Sequence, residues 1–479
     1  MLLRLQGNYR RAREEIEEAV RLRPWAPHYQ SFRNAVIGEL SVYQQQHKPK
    51  LAAQPGNSPN PDRVLHVIEN SLPHRTNGYT YRTQYILQGQ REHGLTPMVV
   101  TRPGFPDKYG RGSRFGLARP PFSEDVDGVV HYRSPAKYSV FGELEPLDSY
   151  LQRYAEHVLD VAGQAGAGLL HAATDFKNGI AACAAARALG IPWIYEVRGI
   201  WEDTRVANGI IIEGSEGYRY IREQETWCMK EADAVVALSR RLKQDIVSRG
   251  VGAEKIFVVP NGVDPRQFPV VEKDPVLAGT LGLGDGPVIG HVGTLTSYEG
   301  LELLVQAFAI VREALPAARL LIVGDGERAA AVGQLVRRLG LAGSVRLTGR
   351  VPHRAILQYY ALIDVFVVPR LPLRVCRIVT PLKPYEAMSA GRAVVLSDVG
   401  GLSELADDGA PAVRFRAGDV RDLAAKCVAL ARDEKRRSAL GAAASEWVRR
   451  HRTWGANVAH YRDVYAWVRD KHPRRAAPD

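Results

Sequence analysis

Residues Thr380–Gly401 read TPLKPYEAMSAGRAVVLSDVGG and predict a short helix, a strand and a closing glycine turn. Pro381 suits the first turn of that helix, where the N–H group that proline lacks is not needed. Gly391 is expected to end the helix, and the apolar run AVVLS is expected to form the strand. This helix–strand unit completes a series of such units in the C-terminal half of the chain.

The same stretch carries a candidate binding site. Lys383 and Glu386 are three residues apart, so they share one helix face near the positively polarised N-terminal end. Free N–H groups at such an end can bind a phosphate, and the lysine adds positive charge. A carboxylate one turn further on can accept hydrogen bonds from sugar hydroxyls. The pattern predicts a site for a ribose attached to a diphosphate, while a capped surface helix with an incidental Lys/Glu pair stays open.

Strand-like runs alternate with helices from Arg63 onward. In the first half the runs are VLHVI, PMVVT, GLLH, IPWIYEV, DAVVALS and KIFVVP. In the second half PVIGHVG, RLLIVGDG, SVRLTG and DVFVVP are separated by predicted helices at Leu301–Ala314, Arg328–Leu339 and His353–Leu362. Short apolar runs between helices are typical of a parallel sheet covered on both faces. Because 479 residues exceed one core, we predict an α/β protein with two Rossmann-like, doubly wound domains and a ligand cleft between them.

Changes in composition predict the domain boundaries. We expect an N-terminal helical extension (1–47), a linker rich in Pro, Asn and Ser (48–61), a first domain (62–265), a second domain (266–453) and a last helix (454–471) that crosses back over the first domain. The segment 260–269, PNGVDPRQFP, is expected to be a hinge. The extension resembles the second half of a tetratricopeptide unit. Since one such unit cannot bury its own face, packing on the main body is the favoured interpretation.

Charge and composition limit the classes of partner. The net charge of +12 fits nucleic acid, an anionic membrane surface or phosphorylated small molecules. Nucleic acid is the least favoured, because the sequence has no zinc-finger spacing and no basic run interleaved with aromatic residues. The four cysteines lie far apart without a CxxC motif, which predicts buried thiols in a reducing compartment and no metal site. We expect a cytoplasmic protein, and a peripheral contact with the inner face of the membrane stays open.

Several segments together resemble a known family. VLHVIENSLPHRTNGYTYRT, YEVRGIWED, ADAVVALSRRLKQDIVSRG, VVPNGVD, LLIVGDGE, LTGRVPH and PLKPYEAMSAGRAVV occur in this order. Over roughly residues 63–470 the chain resembles bacterial glycosyltransferases of family 4, in a variant subfamily with a PLKPYEAM motif. The resemblance implies the GT-B fold and transfer of a hexosyl or related group from a UDP- or GDP-sugar to a hydroxyl. It also implies retention of anomeric configuration, no metal, and no cofactor besides the nucleotide-diphosphate sugar as co-substrate.

The resemblance also assigns donor-side roles. It implies that Glu386 binds the donor ribose and that Arg350 and Val351 belong to the loop whose backbone meets the base. It places Gly324 in a glycine turn that lines the nucleotide. Gly78 corresponds to a loop glycine of the first domain near the donor phosphates. The family-typical acceptor is a saccharide or a lipid-linked molecule, in the biosynthesis of a surface polysaccharide or glycoconjugate.

The sequence departs from the family pattern where positive charge is expected. Thr294 and Glu299 stand where the usual arginine and lysine would follow the first strand of the second domain, and Ile378 stands in place of the usual first glutamate. Another group must then stabilise the leaving diphosphate. The candidates are Arg370, Arg374, Arg377 and Lys383, although Pro372 argues against a regular helix through them and solvent-facing arginines are the alternative. We expect Lys383, Arg370 and Glu386 to carry catalysis, with Thr294 on the donor side.

Four residues of the first domain are candidates for the acceptor side: His171, Asn178, Arg198 and Glu202, which follow strand ends or open helices. Many family members have a second histidine two residues after the position of His171, where this chain has Ala173, so a core histidine is the favoured interpretation of His171. For the charged residues of the segment YEVRGIWED, which include Arg198 and Glu202, an internal Glu/Arg salt bridge is the alternative.

Two other functions stay open from the sequence alone. One is a non-catalytic scaffold or sensor that binds a nucleotide sugar, and the other is an epimerase with the GT-B fold. A nicotinamide dinucleotide is poorly supported, because the turn after the first strand lacks the GxGxxG pattern.

Overall fold

A computed structural model describes residues 2–45, 48–54, 59–106, 122–134 and 145–471. The chain forms two compact units. The first comprises Met1–Leu238, Leu242–Val259 and Val458–Asp479, and the second comprises Ser239–Arg241 and Pro260–Asn457. Each unit has its own β-sheet.

The helices and strands follow one another in chain order. Up to residue 259 the elements of the described residues are α1 (Leu2–Leu5), α2 (Tyr9–Leu22), α3 (Pro27–Tyr43), β1 (Asn60–Ile68), α4 (Gly78–Glu92), β2 (Thr96–Thr101), β3 (Ser123–Val126), β4 (Val129–Tyr132), α5 (Leu147–Ala165), β5 (Ala167–Ala173), α6 (Phe176–Leu189), β6 (Trp193–Val197), α7 (Trp201–Ala207), α8 (Glu216–Glu231), β7 (Ala234–Ala237), α9 (Arg240–Ser248) and β8 (Ile256–Val258). From residue 260 onward they are α10 (Pro275–Thr280), β9 (Val288–Val292), α11 (Leu301–Ala314), β10 (Arg319–Val323), α12 (Ala329–Arg338), β11 (Val345–Leu347), α13 (Ile356–Leu362), β12 (Val365–Val368), α14 (Arg374–Ile378), α15 (Lys383–Ser389), β13 (Ala393–Ser397), α16 (Gly400–Asp407), β14 (Val413–Phe415), α17 (Val420–Arg432), α18 (Glu434–His451) and α19 (Trp454–Lys471).

The sheet of the first unit has, among the described residues, the strand order β3-β4-β2-β1-β5-β6-β7-β8. Every pairing is parallel except that of β3 with β4. All residues of β5 and β6 are buried, as expected for strands covered on both faces. The β3–β4 hairpin is an antiparallel edge that the sequence analysis missed. Its turn contains Asp127 and Gly128, both with positive φ, which matches the Asp-Gly preference of tight hairpins.

The sheet of the second unit has the strand order β11-β10-β9-β12-β13-β14, and every pairing is parallel. Its core contains Val305 and Phe308 of α11 packed with Leu320 of β10 and Val395 of β13. The prediction of two doubly wound, mainly parallel sheets is confirmed. The last strand, β14, is only three residues long and was also missed.

The N-terminal helices pack on the body of the first unit. The ring of Tyr43 in α3 lies 5.0 Å from that of Tyr9 in α2 and stacks on that of Tyr220 in α8 at 5.2 Å. The backbone N–H of Gly217 donates to the carbonyl of Gly7 at 2.9 Å. The apolar face of α2 is therefore covered by aromatic side chains of the same unit.

The last helix joins the first unit from Val458 onward. Val458 packs so closely against Gly89 of α4 that a Cβ atom at Gly89 would overlap it. Tyr465 accepts a hydrogen bond from Gln90 at 2.7 Å, so α4 and α19 are joined by both apolar and polar contacts. Within the described ranges, no helix has the length and apolar character needed to span a membrane.

Candidate active site

The helix that opens the predicted site, α15, begins at Lys383, and Pro384 rather than Pro381 occupies its first turn. Gly391 follows the helix with φ +74°, the left-handed conformation that glycine adopts most easily. Gly400 and Gly401 do not form the predicted closing turn, because both belong to α16. A Cβ atom at Gly400 would overlap the carbonyl of Arg377, so the glycine permits close packing of α16 against α14.

A buried carboxylate joins two cations at this site. Glu299 ends a short 3₁₀ turn after β9, and it is 3% exposed. Its Oε1 accepts a hydrogen bond from Arg370 at 2.9 Å and pairs with Nζ of Lys383 at 2.8 Å. Arg370 also donates to the carbonyl of Val379 at 2.9 Å. The two cations are predicted as candidates from the sequence, but the role of the carboxylate that holds them together is not.

Burial and the neighbouring opposite charge shift the pKa values of this cluster in opposite directions. Burial alone would raise the pKa of Glu299, but Arg370 and then Lys383 lower that pKa well below its ordinary value. Burial lowers the pKa of Lys383, and Glu299 opposes that shift. For Arg370, burial would lower the pKa, and Glu299 raises it overall. Each charge is therefore stabilised by the opposite charge beside it.

Glu386 lies on α15, as Lys383 does, but it is held by a different partner. Its Oε2 accepts a hydrogen bond from the hydroxyl of Tyr360 in α13 at 2.7 Å. Burial raises the pKa of Glu386, while Tyr360 and Lys383 act to lower it. The hydrogen bond from Tyr360 fixes one oxygen of the carboxylate, and the residue as a whole is partly exposed. Tyr360 was not identified from sequence.

A neutral histidine lies beside the cations. His291 of β9 is fully buried, and its Nδ1 lies 2.8 Å from the carbonyl of Val367. A carbonyl oxygen can only accept, so Nδ1 carries the proton and Nε2 has the free lone pair. Burial lowers the pKa of His291 to about 4, and the charge of Lys383 contributes. Nε2 has no hydrogen-bond partner within the described residues.

Glycines bring the loops of this site together. Gly293 follows β9 with φ +153°, and a Cβ atom there would overlap Cε of Lys383. Gly324 follows β10 with φ +132°, and a Cβ atom there would overlap the carbonyl of Gly293. The N–H of Gly324 donates to the carbonyl of Gly349 at 3.0 Å. The lysine side chain therefore crosses the end of β9 in space that only glycine leaves open.

The other predicted donor residues lie at the surface. Thr294, Arg350, Arg374 and Arg377 are exposed, and Val351 is half-buried. Arg374 and Arg377 belong to α14, which begins two residues after Pro372, so the expectation that this proline prevents a regular helix was wrong for 374–378. Of the four candidate cations, the structure brings Arg370 and Lys383 together on one carboxylate.

In the first unit, Gly78 is the exposed first residue of α4. Asn77 before it caps the helix: its side chain accepts from the N–H of Thr80 at 3.0 Å, and the hydroxyl of Thr80 accepts from the N–H of Asn77 at 3.1 Å. This reciprocal cap fixes the point at which the loop after β1 enters the helix.

Two acceptor-side candidates belong to a buried network around Glu196 of β6. Its carboxylate pairs with Arg82 at 2.7 Å, Arg198 at 2.8 Å and His171 at 3.1 Å, and accepts from Tyr461 at 2.7 Å. His171 is fully buried and lies 2.8 Å from the hydroxyl of Tyr465 through Nδ1. The structure thus places His171 in the core, and Arg198 in an ion pair inside the unit.

The remaining two candidates are buried as well. Asn178 accepts a hydrogen bond from Tyr154 at 2.9 Å and donates to the carbonyl of Ala173 at 2.7 Å. Glu202 pairs with Arg249 at 2.9 Å. Arg198 pairs with Glu196 of the same YEVRGIWED segment, so the internal Glu/Arg salt bridge that stays open from the sequence is present in the structure.

Two family models match the chain. The one described as a glycosyl transferase 4-like domain matches residues 77–262. The one described as glycosyl transferases group 1 matches residues 286–433, which contain the Glu299 cluster and Glu386.

Curated relatives match at moderate identity. The D-inositol 3-phosphate glycosyltransferase of Xylanimonas cellulosilytica is 30% identical over 62% of this chain and 72% of its own length. The 2-deoxystreptamine glucosyltransferase of Streptomyces kanamyceticus is 26% identical over 58% of this chain and 73% of its own length. A GDP-mannose-dependent mannosyltransferase of Mycolicibacterium smegmatis is 26% identical over 50% of this chain and 64% of its own length. The chain spans about half the length of other curated relatives that it matches. Because the three relatives are named as transferases, they favour neither the sensor nor the epimerase.

Solved structures share the architecture. Sucrose-phosphate synthase from Thermosynechococcus elongatus matches with a TM-score of 0.66 and 19% identity, over 85% of this chain and all of its own. The Anabaena protein HepE, solved in complex with UDP and glucose, matches with a TM-score of 0.62 and 18% identity, over 84% of this chain and 99% of its own. Together with the sequence matches, this likeness shows that the chain belongs to glycosyltransferase family 4 and has the GT-B fold.

Proposed function

We propose that this protein transfers a sugar from a nucleotide-diphosphate sugar to a hydroxyl acceptor, with retention of configuration and without a metal. The observation that carries the proposal is the pair of cations, Arg370 and Lys383, held on the buried carboxylate of Glu299. Lys383 lies one helical turn before Glu386. Cations fixed in advance stabilise the charge that develops on a leaving diphosphate. These residues support the proposal that a nucleoside diphosphate is the leaving group.

Each part of the nucleotide-sugar donor has a proposed binding residue in the second unit. Glu386 would accept hydrogen bonds from the ribose hydroxyls, with its other oxygen fixed by Tyr360. Arg370 and Lys383 would bind the diphosphate oxygens through charge-assisted hydrogen bonds. The backbone at Arg350 and Val351 would meet the base. Retention would follow from attack on the same face of the sugar as the leaving phosphate, as the family resemblance implies.

The relatives support a nucleotide-sugar donor without deciding its base. HepE was solved with UDP and glucose, whereas the mycolicibacterial relative is named as GDP-mannose-dependent. We therefore propose a UDP- or GDP-sugar as the donor.

The acceptor is proposed to bind through the first unit. The four acceptor-side candidates are buried and bonded to other residues inside that unit: His171, Asn178, Arg198 and Glu202. We therefore propose that they support the acceptor side from beneath its surface. The exposed loop that leads into Gly78 would supply the surface. A saccharide or lipid-linked acceptor of a surface polysaccharide or glycoconjugate fits the family, and the net charge of +12 fits a cytoplasmic enzyme that works beside an anionic membrane.

A donor screen tests the proposal. The protein is incubated with UDP-glucose, UDP-galactose, UDP-N-acetylglucosamine, GDP-mannose and ADP-glucose, and released nucleotide is measured. Release from one donor should fall about 100-fold or more in Glu386→Ala and in Lys383→Ala. Glu302→Ala is the control, because Glu302 pairs with Arg328 in a partly exposed ion pair outside the site. Full activity in both site variants would exclude the site, and tight nucleotide binding without release from any donor would favour the sensor.

A further inference from the structure

The turn after β9 places a negative charge where an anion site needs positive charge. Glu299 stands where the family resemblance implies a lysine, and Lys383 reaches the same point from α15, across Gly293. Oε1 of Glu299 is shared by Arg370 and Lys383, while Oε2 has no hydrogen-bond partner in the described part of the chain. A buried carboxylate beside a diphosphate is repulsive, so its presence calls for a compensating role.

We infer, on the basis of the function proposed above, that Glu299 is a positioning residue that fixes the ammonium of Lys383 beside the guanidinium of Arg370 before a nucleoside diphosphate binds. Arg370 is buried and Lys383 is mostly buried, so the two cations repel each other and are costly to desolvate; a carboxylate between them cancels the repulsion and offsets part of the desolvation cost. Because both nitrogens lie within hydrogen-bond distance of one oxygen, the carboxylate also brings them close enough to bind neighbouring oxygens of one diphosphate.

The groups around Lys383 show that the carboxylate of Glu299 favours the charged form of this lysine. The titratable groups that act on the ammonium are Glu299 from the turn after β9, Arg370 from the segment after β12, Glu386 on its own helix and the neutral His291 on β9. Burial and Arg370 both favour the uncharged amine, and Glu299 is the strongest opposing influence. Without that carboxylate, Lys383 is expected to lose its proton at a lower pH.

The test is the pH dependence of nucleotide binding in Glu299→Gln. UDP, GDP and ADP are titrated calorimetrically into the wild-type protein, and the tightest binder is used as the probe. As the pH is raised stepwise from 6.5 to 9.5, we expect the affinity of the Gln variant to decline at a lower pH than that of the wild type, and by about fivefold or more once its Lys383 has lost the proton. The difference between the two affinities should be smallest at pH 6.5. Titration of the nucleotide phosphate near pH 6 affects both proteins alike and cancels in the comparison.

A second substitution assigns the effect to Lys383. In Glu299→Gln combined with Lys383→Arg, the guanidinium does not titrate, so the loss of affinity with pH should disappear. Glu302→Gln is the matched control, since it removes a carboxylate from the same helix-loop region outside the site, and its pH dependence should equal that of the wild type. If Glu299→Gln does not fold, Glu299→Asp replaces it, because the shorter carboxylate should shift the loss to a pH between those of the Gln variant and the wild type.

The outcomes separate this inference from the proposed function. A wild-type protein that binds none of the three nucleotides would contradict the proposed function and the inference together. A wild type that binds, with a Glu299→Gln variant weakened equally at every pH or not at all, would overturn the inference alone, because a purely structural role does not change the pH dependence.

Discussion

The hydroxyl of Tyr360 donates a 2.7 Å hydrogen bond to Oε2 of Glu386 and so ties α13 to the helix that carries the proposed ribose carboxylate. Tyr360 is fully buried, with its ring 5.4 Å from that of Phe366 and 5.8 Å from that of Phe268. The orientation of Glu386 is therefore set by a rigid aromatic cluster below the site.

Tyr360→Phe is expected to keep this packing and lose only the hydroxyl. We expect a loss of about 1 kcal/mol in the free energy of unfolding, measured by chemical denaturation. The KM for the donor should rise several-fold with a smaller change in kcat, because the freed carboxylate samples more orientations. An unchanged KM would show that Tyr360 does not position Glu386.

Protonation of Glu386 should weaken donor binding at low pH. Its pKa is raised above the ordinary value of 4.5 by burial, so the carboxylate is lost as the pH falls through a value higher than 4.5. Nucleotide affinity is therefore expected to decline on acidification before ordinary glutamates titrate. Because the Tyr360 hydrogen bond lowers this pKa, Tyr360→Phe should move the decline to higher pH. A decline at the same pH in both proteins would assign it to another group.

Glu225 in the first unit should make stability depend on pH. Burial raises its pKa to about 8, although the hydroxyl of Tyr195 donates to it at 2.7 Å and acts to lower the pKa. A raised folded-state pKa means that its contribution is complete below pH 4.5 and is lost as the pH rises to about 8. Glu225→Gln should therefore gain stability relative to the wild type, by on the order of 1 kcal/mol per pH unit across this window.

Unfolding at pH 5.5, 6.5, 7.5 and 8.5 measures this difference. Glu231→Gln is the control, since Glu231 forms an exposed pair with Arg187, and it should show little change at any of these pH values. A constant difference between Glu225→Gln and the wild type would contradict the predicted titration.

Glu196→Ala tests the buried network of the first unit. The substitution leaves Arg82 and Arg198 buried without their shared carboxylate. Uncompensated buried charge of this kind typically costs about 3–5 kcal/mol, so the apparent Tm should fall by many degrees. Exposed pairs contribute about 0–1 kcal/mol, and Glu231→Ala provides that comparison. Similar small losses in both variants would show that the network contributes little.

Gly293→Ala is expected to disable the donor site. Its φ of +153° is unfavourable for any side chain, with a cost of about 1–3 kcal/mol, and the added Cβ would displace Lys383. Nucleotide binding should weaken more than about tenfold, as expected for loss of a charge-assisted contact. Gly340→Ala is the control, because Gly340 has φ +68° and open space around it; it should lose stability but keep its nucleotide affinity. Equal nucleotide affinity in both variants would contradict the proposed place of Lys383.

Local sequence predicts the long elements well. Helices Leu301–Ala314 and Trp454–Lys471 have the predicted bounds, because each has many apolar positions at helical spacing. The β3–β4 hairpin was missed because each strand has four residues, too few for a periodic pattern, although the Asp-Gly pair at its turn was a usable signal.

The site is predictable in its residue types but not in its pairings. Lys383 and Glu386 could be predicted from their spacing at the start of a helix, Arg370 from its place after a strand, and Glu386 also from the family resemblance. Their partners could not, because Glu299 and Arg370 are 71 residues apart and Tyr360 and Glu386 are 26 apart. Such pairs meet only when the parallel sheet brings the ends of its strands together. The burial of His171 and Asn178 likewise depends on helices from distant parts of the chain.

The space shared by Gly293 and Lys383 has a consequence for divergence among descendants of this sequence. A residue larger than glycine fits at position 293 only after position 383 has lost its long side chain or that side chain has adopted another orientation. In the reverse direction, a lysine at 383 fits only after position 293 has become glycine again. The two positions should therefore covary across an alignment, with glycine accompanying lysine. Glutamate at 299 should be retained wherever that lysine is present.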